Sequence, residues 1–230
     1  MPIIFLSPST QENNLYVTGT GSEEYWMNRL ADEMIPYLKS CGIRYTRNTP
    51  EMTAGSSIRQ ANEGWYDFYL ALHSNAAAPE NYGNVRGIIA FYYPTSTQGQ
   101  RAAQIFVNNL RTAYPQPDKV VTRSTTALGE VRDSKFPAVL LELGYHDNVE
   151  DARWVETHLV DIARNLVLSL TDYFDIPFIW PSDPWTGTVQ AGGTLNLRNR
   201  PNTSSAVIAN IPNGAQVRVF GQYDNWYVVQ

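Results

Sequence analysis

Pro137-Ala138-Val139-Leu140-Leu141-Glu142-Leu143-Gly144-Tyr145-His146-Asp147-Asn148 reads as a buried strand that runs directly into polar chemistry. The apolar run Ala138 to Leu141, opened by a proline, suits a strand covered on both faces. Glu142 follows at once, and a carboxylate there is costly to desolvate unless it is paired, solvated in a cleft or used. An ion pair with an arginine elsewhere in the chain is the plainer reading.

Leu70-Ala71-Leu72-His73-Ser74-Asn75 repeats the pattern, with an apolar strand delivering a histidine. In open α/β sheets ligands gather outside the carboxyl ends of the strands, which gives both polar groups a geometric reason to act. A strand-end histidine can equally be a hydrogen-bonded structural residue.

Around these two segments, Ile3 to Leu6 and Ile88 to Tyr93 are further strands. Met27, Leu30, Ala31, Met34 and Leu38 recur at helical spacing and Gly42 stops them. Ala102, Ala103, Ile105, Phe106 and Leu110 form a second stripe, and Trp154 to Leu170 a long third helix. The alternation predicts an α/β fold, a mostly parallel sheet flanked by helices, over residues 1–175. Residues 176–186 carry Pro177, Pro181 and Pro184 without helical period and read as a linker. From residue 187 to 230, short β-type runs separated by Arg200-Pro201-Asn202, Pro212-Asn213-Gly214 and Asp224-Asn225 predict a small antiparallel barrel.

Composition narrows the function. With 230 residues, 43% of them hydrophobic, the chain can bury one ordinary domain and a smaller second one. A net charge of -5 argues against nucleic acid as a partner. Cys41 is the sole cysteine, so it forms no intramolecular disulfide and no cysteine-based metal cluster; a buried thiol near a helix end is expected. Pro2 to Leu6 is too short for the apolar core of a signal peptide, and nothing approaches the roughly 20 apolar residues of a membrane span. The expectation is synthesis in the cytoplasm and action on an outside target reached by lysis or another route.

Taken in order, Glu24 with Asn28 in its next turn, Thr46-Arg47, Ala61-Asn62, Leu72-His73-Ser74-Asn75, and Pro137 through Gly144 with Asn148 and Asp151 resemble the zinc-dependent N-acetylmuramoyl-L-alanine amidases. The resemblance spans roughly residues 3–175. It implies hydrolysis of the amide between N-acetylmuramic acid and L-alanine in peptidoglycan, a Zn2+ cofactor, Glu24 and His73 as two metal ligands and Glu142 as the catalytic carboxylate. Alone, Glu24 otherwise simply complements the dipole of a helix that Ser22 caps.

The family's remaining ligand is a histidine in an Asp-Pro-Gly-His motif after the first strand. This chain has Ser7-Pro8-Ser9-Thr10 there, with Thr10 in the histidine's place. His146, on the loop after Glu142, is therefore expected to supply the missing imidazole; Thr10 or Gln11 acting through water is the other option. Arg47 and Asn75 are candidates for orienting the substrate. The missing histidine also leaves a non-enzymatic alternative, a degenerate amidase fold that binds peptidoglycan or regulates a partner hydrolase, and more remotely a zinc peptidase cutting within the stem peptide.

Leu195 to Asn202, Ile208 to Gly214, Gly221-Gln222-Tyr223 and Asn225 to Val229 resemble a bacterial SH3-like domain. That resemblance implies a wall-binding module that raises the local concentration of the enzyme by tethering. Its usual closing hairpin is not seen after Val229, so an incomplete barrel is expected.

Overall fold

The structure, a computed structural model, describes residues 1–229. In chain order the first part comprises β1 (Ile3–Pro8), α1 (Glu23–Ser40), β2 (Arg44–Arg47), α2 (Ala54–Glu63), β3 (Phe68–Asn75), β4 (Ile88–Tyr92), α3 (Thr97–Leu110), β5 (Val120–Ser124), α4 (Gly129–Arg132), β6 (Ala138–Tyr145), α5 (Val149–Thr157) and α6 (Leu159–Phe174). The six strands form one sheet in the order β2-β1-β3-β6-β4-β5.

β2, β1, β3 and β6 run parallel, as expected, whereas β4 is antiparallel to β6 and carries β5 with it. The reversal has a simple cause. No α-helix lies between β3 and β4, so the chain re-enters the sheet from the edge it has just left. The sheet is thus mixed.

Strand alternation divides the apolar residues between two faces. Ile4, Leu6, Leu70 and Leu72 join Met27, Leu30, Met34 and Leu38 of α1 and Leu166 and Leu170 of α6 in the main core. Phe5, Tyr69, Ala71, Ala138 and Leu140 face the other way and meet Val131 of α4 in a smaller cluster. The thinly covered second face is the one that hosts the polar groups.

Two local expectations change. The third helix is two helices, broken at His158, whose backbone leaves the helical region and whose Nδ1 lies 3.0 Å from the Trp154 carbonyl. The stretch read as a linker is docked: Ser40 Oγ donates to the Ile179 carbonyl at 2.7 Å, and the Ile179 N–H reaches Cys41 Sγ at 3.2 Å. Cys41 is buried there, as expected for a thiol at a helix end.

β7 (Trp185–Thr188) already begins within that stretch, followed by β8 (Thr194–Arg198), β9 (Val207–Pro212), β10 (Gln216–Tyr223) and β11 (Trp226–Val229). They form a three-stranded sheet, β11-β10-β7, and a β8-β9 hairpin. Gly221 of β10 lies against the end of α1, where an added Cβ would come within 2.6 Å of the Ser40 carbonyl oxygen. Only glycine permits this approach.

Candidate active site

β3 and β6 pair in a register that sets His73 beside Glu142, so both side chains leave the same face at the carboxyl edge. Ser22 caps α1 by accepting the Tyr25 N–H, which places Glu23 in the first turn with its carboxylate turned toward β3. Glu23 Oε1 lies 2.8 Å from His73 Nδ1, and Glu23 Oε2 accepts from Asn14 Nδ2 at 2.7 Å. Gln11, on the loop after β1, closes the third side: its Nε2 is 3.3 Å from Glu23 Oε1 and 3.4 Å from His73 Nδ1.

The opposite nitrogen of His73 meets a second carboxylate. Nε2 lies 2.7 Å from Glu130 Oε2, while Glu130 Oε1 accepts from Ser7 Oγ at 2.7 Å and Tyr69 OH at 2.8 Å. Glu23 and Glu130 are 1% and 4% exposed, so each depends on these partners to remain ionised. Burial opposes the charge of both, yet the hydrogen bonds and charge of His73 prevail, and both pKa values lie below the ordinary carboxylate range. Burial also works against the imidazolium of His73; Glu130 and Glu23 outweigh it and hold His73 well above the usual histidine value.

Glu142 has no such support. Its Oε2 is buried without a hydrogen-bond partner. Burial pushes its pKa up to about 7; nearby His73 pulls the other way, and Glu23 and Glu130 add to the rise. An orphaned carboxyl that titrates near neutrality beside a histidine is suited to moving a proton.

The remaining expected groups are distributed as follows. The carboxylate at His73 is Glu23, one residue before Glu24; only the backbone of Glu24 is engaged, its carbonyl accepting from Asn28 Nδ2 at 2.8 Å. His146 turns away: its Nδ1 lies 3.1 Å from Ser74 Oγ and 3.0 Å from the Ser74 carbonyl, and its ring stacks on Tyr16. The set Glu24, His73 and His146 is therefore not assembled, and among the described residues no three His, Cys, Asp or Glu side chains form a metal cluster. Arg47 is engaged internally, bonding Asp32 at 2.6 Å and the Asn28 side chain at 2.7 Å. Asn28 in turn donates to the Ser9 carbonyl at 3.1 Å, so Arg47 braces the loop that carries Gln11. Asn75 lies at the same edge as the site and accepts from the Ala76 N–H at 2.8 Å.

Two site residues escape the sequence reading. Glu23 carried a signal, because it lies four and seven residues before Met27 and Leu30 of the buried stripe, although residue 24 borders the same stripe. Glu130 was not: α4 is a single turn whose sequence carries no period.

The family profile of N-acetylmuramoyl-L-alanine amidase matches residues 10–172, and the bacterial SH3 domain profile matches residues 193–230. No curated protein matches the chain. Among solved structures, the amidase AmiC2 of Nostoc punctiforme superposes with a TM-score of 0.67 at 15% identity, covering 76% of this chain and 97% of its own. The amidase of Clostridium difficile 630 gives 0.67 at 17% identity, covering 76% of this chain and 97% of its own. The catalytic domain of CwlV from Bacillus (Paenibacillus) polymyxa var. colistinus gives 0.67 at 15%, covering 77% of this chain and 100% of its own. At such identities the likeness establishes the fold. The profile, spanning well over half of the sequence, establishes the class: the chain belongs to the Amidase_3 family of N-acetylmuramoyl-L-alanine amidases and carries a bacterial SH3 domain at residues 193–230.

Proposed function

We propose that this chain hydrolyses the amide joining N-acetylmuramic acid to L-alanine in peptidoglycan, using a zinc ion held by Glu23 and His73, with Glu142 as the proton carrier. The observation that carries this reading is the position of Glu142 Oε2, buried and unpartnered on the strand beside His73.

Glu23 and His73 would supply two of the three side chains that a catalytic zinc ordinarily takes. Glu23 Oε1 and His73 Nδ1 are directly paired at 2.8 Å, a contact that an ion would have to replace, and the other nitrogen of that imidazole meets the carboxylate of Glu130, as is common for a metal-bound histidine. Gln11 bounds the third side with its amide nitrogen, a group suited to holding a water and not the ion itself, since its oxygen accepts from Asn14 at 3.2 Å. Held by Glu23 and His73, a zinc ion would supply polarisation of the scissile carbonyl and acidification of the attacking water.

Glu142 takes the proton of the attacking water and then delivers it to the departing amine of L-alanine, successive base and acid roles of one carboxyl. Substrate is peptidoglycan, reached from outside the bilayer; no helix among the described residues is long and apolar enough to cross a membrane. The C-terminal bacterial SH3 domain tethers the enzyme to the wall.

A second reading rests on His73 being bracketed at both nitrogens: an imidazolium between two carboxylates is a complete ion-pair cluster by itself. In that case the domain binds wall without cutting it. Digestion of purified walls followed by mass analysis distinguishes the two. Free stem peptides with a new L-alanine amino terminus are expected; intact walls support the binder, and cuts within the stem would refute the amidase reading.

A further inference from the structure

The second face of the sheet is covered unevenly. Ala61 of α2 and Val131 of α4 pack with Phe5, Tyr69, Ala71 and Leu140. Toward β4 and β5 the cover thins: Phe91 and Val121 are half-buried and Arg123 is exposed. Glu142, Ile89 and Val121 stand in line across β6, β4 and β5, and Arg123, two positions past Val121, shares their face. Strand spacing and rise put the Cα atoms of Glu142 and Arg123 about 12 Å apart. Tyr145 borders the same trough, because the register shift in β6 pairs it with Asn75 and returns it to the face of His73. Its phenol pKa is raised, chiefly by burial; Arg123 opposes the rise and Glu142 adds to it, so the ring lies within electrostatic reach of both.

Arg47, Arg86, Arg132 and Arg200 each pair with a carboxylate. Arg123 has neither an ion pair nor a side-chain hydrogen bond among the described residues, although it faces the trough that begins at Glu142. We infer that Arg123 binds a carboxylate of the stem peptide as the stem leaves Glu142 across β4 and β5, which makes it the residue that favours acidic over amidated stems. The carboxyl of N-acetylmuramic acid is spent in the scissile amide, so the stem is the part of the substrate that brings an anion here. A guanidinium grips a carboxylate through two parallel N–H donors, whereas an amide offers it one acceptor oxygen and no charge. An extended peptide covers 12 Å with roughly three to four residues, a span that matches the start of a stem. The inference rests on the hydrolysis reading given above and is independent of how a metal is held.

The test uses purified walls before and after their stem carboxylates are amidated with carbodiimide and ammonia. New L-alanine amino termini are measured for the full chain and for its Arg123→Gln and Arg123→Lys variants, each checked for folding by its thermal melt. At sub-saturating wall concentration the parent is expected to cut native walls about fivefold faster than amidated walls. In Arg123→Gln that preference should shrink to about twofold or less, and a higher concentration of native walls should recover most of the lost rate, as a KM effect does. Arg123→Lys should keep part of the preference, since it retains the charge and loses the fork. A folded Arg123→Gln variant with the parental preference overturns the inference. So does an equal loss on both walls, the mark of a merely structural role, or a parent that cuts both walls alike. Each of those results leaves hydrolysis intact, whereas a parent that cuts neither wall removes the hydrolysis reading and the inference with it.

Discussion

His73 and Glu142 are register partners on adjacent parallel strands, one edge position shared by two segments nearly seventy residues apart in sequence. A parallel register presents both side chains on the same face with no loop to blur their spacing. Glu142→Gln keeps shape and removes the transferable proton. Wall-clearing activity should fall by at least about a hundredfold while zinc content is unchanged. Turbidity clearance near the parental rate by that variant would remove Glu142 from the mechanism.

The same carboxyl makes the metal-free protein sensitive to pH. Its folded pKa of about 7 lies above the unfolded value of 4.5, so folding favours the protonated form. Below 4.5 both states are protonated and there is no penalty. As pH rises the unfolded chain ionises first, and stability falls until the folded pKa is passed. Above neutrality the cost approaches about 3 kcal/mol. Chelator-treated Glu142→Gln should therefore be more stable than the parent at pH 8 and equal to it at pH 4, as read by urea unfolding.

Glu23 and Glu24 are neighbours in sequence with opposite expected sensitivities. Glu23→Ala removes a carboxylate bonded to His73 and Asn14 and should abolish stoichiometric zinc binding and activity. Glu24→Ala should leave both within about twofold, the usual scale of a partly exposed surface change. Equal losses in the two variants would show that the helix meets the site in another rotation.

His146→Ala tests the buried imidazole that turns toward Ser74. Loss of that hydrogen bond and of the stack on Tyr16 should destabilise the fold by about 1–3 kcal/mol. Zinc content should not change. Metal lost from an otherwise folded His146→Ala protein would restore the histidine as a ligand.

Gln11→His adds a third strong donor where the amide now stands 3.3 Å from Glu23 and 3.4 Å from His73. Catalytic zinc is ordinarily held by three side chains, so affinity should rise by about tenfold or more. Chelator competition at fixed pH measures it, and an unchanged constant would place the ion elsewhere.

Much of this was present in the chain as written. The apolar runs ending at His73 and Glu142 identified two strands and the edge where they deliver chemistry, because burial on both faces leaves a signature that needs no partner to be read. The helix stripe likewise contained Glu23, since helical period is a local property. Strand direction was a matter of topology: β4 and β5 reverse because of how the chain re-enters the sheet, which no residue type announces.

Side-chain company was decided by the tertiary structure alone. Glu130 comes to His73 from a single helical turn 57 positions away, and Ser7 and Tyr69 join it from two different strands. His146 is close to Glu142 in sequence yet faces Ser74, because the loop after β6 sends its ring toward Tyr16. Sequence determined which elements form and which edge is polar, as both follow from local burial. Which nitrogen of His73 meets which carboxylate depends on contacts between distant segments, and only the packed chain specifies those.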